Sequence, residues 1–210
     1  MDGVIQDIWQ VSSLPAGAAR IYPDGCRDVI WIKPAKGRPY WKAAPLDARM
    51  RVLYSMAGAD LWGARLTPGA QIPPDLFHAF DADGPDQAAA AIAALCAVPE
   101  PVRDWLCALR AAPSLPVPRL ARSLGVSART LQRQVKSSTG QGPLFWARLM
   151  RLRLALSEAQ HGLPLAEAAY AAGFADQAHF TREAVAFHAA PPTRLLRDPS
   201  ALASILAPGL

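Results

Sequence analysis

Arg129 and Arg133 stand four residues apart with Gln132 beside the second of them, a spacing that puts the three on one face of a helix. Side chains of these types read base edges. A guanidinium offers two parallel donors to O6 and N7 of guanine, and a glutamine amide pairs with N6 and N7 of adenine. Around them lie Arg122, Ser127, Lys136, Arg148 and Arg151, cations and a hydroxyl suited to phosphate oxygens, which position a protein on a duplex without reading its sequence. A second set follows further along: Gln177, His179 and Arg182 as candidate base readers, with Thr181 as a candidate phosphate contact. The two sets differ in charge. Residues 117–153 carry eight basic side chains and no acid, whereas residues 158–197 carry three basic and four acidic ones. A polyanion is drawn to the first segment.

The rest of the composition narrows the function. The chain has 210 residues, 51% of them hydrophobic, and a net charge of +5. That suffices for one large or two small cored domains. No apolar run reaches the roughly 18 residues of a membrane span, and no secretory leader is recognisable, so a cytoplasmic location is expected and no membrane partner. Cys26, Cys96 and Cys107 are scattered and odd in number. They form neither a disulfide framework nor a zinc signature, so no metal, no cofactor and no catalytic residue are expected.

The elements that must hold the cationic residues are helices. In RLARSLG, Leu120, Ala121 and Leu124 share a face and Gly125 suits a helix end. Ser127 can cap the next helix, whose Leu131 and Val135 point inward. LFWARLMRLRLALSEAQ reads as a long amphipathic helix of about 25 Å, long enough to set two reading helices about one duplex turn (~34 Å) apart. After His161-Gly162 the pattern repeats in LAEAAYAAGFADQAHFTREAVAF, with Gly173 at the turn and Asp176 as the cap. Trp105, Phe145, Trp146, Phe174 and Phe180 are assigned to the core. Upstream, DQAAAAIAALCAV and PVRDWLCALRAA read as helices. The first ~80 residues have strand patterning broken by turns, as in RIYPDGCRDVIWIKP, MRVLYSMAG and LWGARLTPGAQIP.

LARSLGVSARTLQRQVKSSTGQGP followed by Trp146 and Arg151, with GFADQAHFTR and Pro192 further on, resembles the DNA-binding domain of the AraC/XylS family of bacterial transcription regulators. The second unit departs from that family's pattern at Ala184-Val185, at Ala189 and at Leu195-Leu196. YPDGCRDVIWI and GARLTPGA are similar to a domain found at the N-terminus of some such regulators. The resemblance implies an α+β protein: a β-rich domain over 1–84, an Ala-rich helical connector over 85–99, a DNA-binding domain with two helix-turn-helix units over 100–198, and a C-terminal tail over 199–210. It implies double-stranded DNA as the partner, with a small-molecule effector and RNA polymerase as further candidates, and a monomer or homodimer. The first unit is expected to be the main major-groove reader and the second a weaker one.

The N-terminal half leaves two readings open. Its aromatic residues line a ligand pocket, with Asp24, Arg27, Asp28 and Trp31 as candidate contacts, or they fill the core of a module for protein contacts only. A cysteine-based DNA alkyltransferase, sometimes fused to helix-turn-helix domains of this type, is the alternative from the enzyme class, but three scattered cysteines argue against it.

Overall fold

The computed structural model describes residues 3–55, 57–80 and 84–207. Four antiparallel strands form the main sheet in the order β1 (Ile5–Leu14), β6 (Ala59–Leu66), β3 (Arg27–Lys33), β4 (Tyr40–Ala43). A separate ribbon pairs β2 (Gly17–Ile21) with β5 (Arg51–Ser55). Alternation buries Val29 and Trp31 of β3, and Trp31 stands opposite both Trp62 and Trp41 in register. Helix α1 (Ala88–Leu95) closes this core with Ala88 and Ile92. Gly63 lets the Trp9 ring lie flat across β6, since a Cβ there would sit 2.2 Å from that ring. Strand β1 escaped the reading of the sequence because most of its side chains are exposed, which leaves little alternation to detect.

The helical half follows as α2 (Glu100–Ala111), α3 (Val117–Ser123), α4 (Ala128–Thr139), α5 (Pro143–Gln160), α6 (Leu165–Ala171) and α7 (Gln177–His188). Two apolar clusters lie along α5. Trp146, Ala147 and Met150 join α2, α3 and α4, while Leu149, Leu152, Ala155 and Leu156 join α6 and α7. Flanked in this way, α5 is buried on most of its circumference rather than amphipathic as its sequence suggested. A short α8 (Pro192–Leu195) follows, and residues 199–206 of the segment expected as a tail instead form α9 (Pro199–Leu206). Asp198 caps α9 by accepting from Ala201 N at 3.0 Å. Ala201, Leu202 and Ile205 of α9 are buried in the second cluster, and Arg153 of α5 donates to the terminal carbonyls of Ile205 and, at 2.7 Å, Ala207. A cation at a helix C-terminus is where the orphan carbonyls and the dipole favour one.

The two halves touch. Tyr22 enters the second cluster and meets the His188 ring edge-on at 5.7 Å, while Met50 N donates to Phe187 O at 2.7 Å. Leu46 packs on the first cluster. The architecture is α+β, a β-rich region followed by an all-helical one.

Candidate nucleic-acid interface

The first unit is α3, a tight turn and α4. Leu120 and Ala121 bury one side of α3, and the turn closes with Val126 N donating to Ala121 O at 3.0 Å around Gly125, whose φ of +70° belongs to the left-handed region. Ser127 caps α4: its hydroxyl accepts from Thr130 N at 3.0 Å and pairs with Thr130 Oγ1 at 2.9 Å. Leu131 and Val135 anchor α4 in the core. Arg129, Gln132, Arg133 and Lys136 are all exposed on the opposite side. Gln132 leans back towards the end of its helix, where its amide lies against Gly142: a Cβ there would be 2.5 Å from Nε2. Arg122 is exposed beside them, with Nε 3.4 Å from Pro118 O.

The second unit repeats the frame. Ala168 and Ala169 bury α6, and Phe174 N donates to Ala169 O at 2.9 Å around Gly173 at φ +80°. Asp176 then caps α7 by accepting from His179 N at 2.6 Å. Helices α4 and α7 each have 12 residues and each ends on a left-handed residue, Gly140 at φ 77° and Ala189 at φ 56°. Counted from the caps, buried Leu131 corresponds to Phe180 and Val135 to Ala184. On the outer face Arg129 corresponds to Ala178, Arg133 to Arg182 and Lys136 to Val185. Gln177, Ala178, Arg182, Val185 and Ala186 are exposed.

Of the residues expected at this second surface, His179 turns inward and Thr181 bonds to its own helix. His179 is half-buried, edge-on to Phe174 at 5.2 Å, with Nδ1 3.5 Å from Ala175 N. Thr181 donates its hydroxyl to Gln177 O at 2.9 Å. The reason is one additional residue. Between turn glycine and cap the first unit has Val126 alone, whereas the second has Phe174 and Ala175. A count from the glycine therefore picks Gln177 and Thr181; a count from the cap picks Ala178 and Arg182. The sequence reading missed Ala178, and the signal that finds it is the cap Asp176.

Arg148 and Arg151 do not reach outward as phosphate contacts would. Arg148 grips Glu183 of α7 with two donors, Nε at 2.6 Å and Nη2 at 2.9 Å, and lies over the Phe187 ring at 5.2 Å. Arg151 donates from Nε to Ala147 O at 3.3 Å and lies over Phe174 at 5.8 Å; burial lowers its pKa. Both arginines fasten the second unit to α5. A planar guanidinium is suited to such combined pairing and stacking.

The candidate ligand set of the N-terminal half is likewise used within the protein. Asp24 pairs with Arg65 and accepts from Cys26 N at 2.8 Å. Asp28 accepts from Trp9 Nε1 at 3.0 Å, and burial raises its pKa. Trp31 belongs to the sheet core. Arg27 donates to Ala44 O at 3.2 Å and also faces a cleft of about 470 Å³ lined by Gln71, Ile72, Pro73, Leu95 and Ser138. Cys26 donates to Gln6 Oε1 at 3.4 Å, and burial, followed by the charge of Asp24, pushes its thiol up to about 12. Methyl acceptance needs the opposite, an activated thiolate.

Residues 120–198 match a protein family described as a helix-turn-helix domain. No curated protein sequence matches the chain. Among solved structures, ToxT from Vibrio cholerae O395 superposes with a TM-score of 0.50 at 10% identity, over 96% of this chain and 97% of that one. The same protein bound to (E)-4-(8-methylnaphthalen-1-yl)but-3-enoic acid gives 0.50 at 10% identity, over 91% and 97%. At that identity the likeness is one of fold, and it extends through both halves of the chain. Two helix-turn-helix units on one connecting helix agree with the family match, and residues 120–198 are a helix-turn-helix domain.

Proposed function

We propose that this protein is a sequence-specific transcription regulator whose first unit supplies most of the affinity for double-stranded DNA. The observation that carries this reading is the outer face of α4. Arg129, Arg133 and Lys136 are exposed along it, in a stretch of 37 residues that contains no acid to neutralise them. Arg129 and Arg133 read guanine edges, Gln132 adds an adenine contact once it swings off Gly142, and Arg122, Ser127 and Lys136 meet phosphates. The second unit, with Gln177 and Arg182 outward, is the weaker reader. The test compares full-length variants on a specific duplex and on random duplexes. Arg129→Ala should lose affinity on the specific duplex alone, and Lys136→Ala on both. Equal, uniform losses from the two variants would refute the division between reading and positioning.

The N-terminal half acts as a sensor in this reading, with the cleft beside Arg27 as the place for an anionic effector. ToxT bound to a carboxylic acid supports a search among carboxylic acids. A thermal-shift screen of the full chain should find a stabilising carboxylate that Arg27→Gln no longer binds. If no such compound exists, the half serves protein contacts only, with a second copy or RNA polymerase as candidates.

A further inference from the structure

Where α4 presents Arg129, α7 presents Ala178, and where α4 presents Lys136, α7 presents Val185, 48% exposed. The outer face of α7 is thus Ala178, Arg182, Val185 and Ala186, one cation among apolar groups. An exposed valine among alanines adds nothing to the core, which Phe180 and Ala184 already fill. Exposed Gln177 opens α7 at the edge of this face, and the other polar groups nearest it are engaged elsewhere. His179 turns to Phe174, Thr181 to Gln177 O, and Glu183, which would repel phosphate, is drawn off by Arg148. What remains is a smooth, slightly basic strip.

The major groove offers one apolar feature to such a strip, the C5-methyl group of thymine. Alanine at the second position of a reading helix is short enough to let the backbone approach and ends in a methyl group. We propose that Ala178 is a specificity-determining residue that selects thymine at one step by contact with its C5-methyl, with Val185 extending that apolar contact further along α7 and Arg182, one turn beyond Ala178, supplying the donors to a neighbouring guanine or phosphate. The proposal rests on the reading above that the second unit engages DNA. The two units then read with different chemistry: the first by hydrogen-bond donors, the second mainly by methyl contact.

The test uses the full chain and a duplex enriched by it from a randomised pool. After footprinting, each thymine in the segment protected by the second unit is replaced singly by deoxyuridine, which deletes only the methyl group. Burying one methyl corresponds to about fourfold in affinity. One thymine should show a loss of that order, and Ala178→Gly should abolish the difference between thymine and uracil at that same position while leaving the other positions unchanged. Indifference to uracil throughout a segment that is still protected would overturn the methyl assignment and leave the engagement of the second unit intact. Protection confined to the segment of the first unit would overturn both. Uracil sensitivity that persists in Ala178→Gly would assign the methyl contact to another residue and overturn the role of Ala178.

Discussion

From Ser127 to Gly140, and again from Asp176 to Ala189, the chain follows one path: a side-chain cap, a 12-residue helix with two corresponding inward positions, and a left-handed stop. Outside that path the two units part. The first is fastened to its surroundings by apolar packing and leaves its cations in solvent, whereas the second has Arg148 and Arg151 folded over its rings and a carboxylate consumed in pairing. A frame that needs only a cap, two apolar positions and a turn leaves the outer face free to vary. The difference teaches that charge on such a domain varies independently of the frame and says little about the frame itself.

The largest effect expected from the comparison is on DNA. Arg129→Ala removes a bidentate donor from the exposed face and should cost about 1–3 kcal/mol on a specific duplex, with preference relaxed at one base pair. Its counterpart Ala178→Arg adds such a donor to the second unit, and affinity should rise on duplexes carrying guanine at the matching step. Titration of both variants against a panel of duplexes differing at single steps checks this. A gain from Ala178→Arg that ignores sequence would place that residue over the backbone instead of the bases.

Next come the turn glycines, which share a left-handed φ but not their neighbours. A Cβ on Gly125 meets nothing within 4 Å, whereas one on Gly173 would sit 2.9 Å from Ser114 Cβ. Gly125→Ala carries only the strain of φ +70°, about 1 kcal/mol. Gly173→Ala adds overpacking on the linker between α2 and α3, for a total of about 2 kcal/mol. Denaturant unfolding of the two variants should rank them in that order. A reversal would mean that the linker yields to the new methyl.

Much of this frame was legible in the sequence. Gly125, Ser127, Leu131 and Val135 announce the first unit because local rules of turn, cap and four-residue spacing act there without interference. The strands over Arg27–Lys33 and Ala59–Leu66 were legible for a similar reason, apolar runs closed by Gly or Pro. What escaped depends on distant contacts. β1 is mostly exposed and takes its place from pairing with β6; α9 is fixed by α5 through Arg153; the inward turn of Arg148 follows from Glu183, 35 positions on. The outward set of the second unit was partly misread because Ala175 lengthens its turn by one residue.

A third effect sharpens the contrast at the ends of α4 and α7. The first unit ends on polar Thr139, but the second ends on His188, buried against Tyr22, with neither ring nitrogen hydrogen-bonded. Burial, and then the charge of Arg153, lower its pKa from 6.5 to about 3. Below pH 6.5 the unfolded chain takes up a proton that the folded chain refuses until about pH 3, so this contribution to stability is full above 6.5 and is lost as the pH falls. The slope should approach about 1.4 kcal/mol per pH unit in the middle of that window. His188→Phe should flatten it. Melting curves taken at several pH values for both proteins measure the difference, and parallel slopes would move the acid sensitivity to the carboxylates.

The smallest effect lies one residue further on. Ala189 holds φ 56° at the position where the first unit has Gly140. An L-residue in this region bears a strain of roughly 1–2 kcal/mol from its Cβ against the following carbonyl, and glycine does not. Glycine also adds freedom to the unfolded chain, which returns about 0.4–1 kcal/mol of that gain. Ala189→Gly should therefore stabilise the protein by about 0.5 kcal/mol, where the same substitution in a helix interior would destabilise it. Because Ala189 is exposed, no loss of packing competes with the gain. The measurement is a shift of the denaturation midpoint at constant slope. The stop is also part of the seam between the halves, since Met50 N donates to Phe187 O just before it. A destabilised Ala189→Gly variant would mean that the alanine is held there to keep the end of α7 rigid beneath Met50 and Tyr22, and that this stop, unlike Gly140, serves the N-terminal half as well as its own helix.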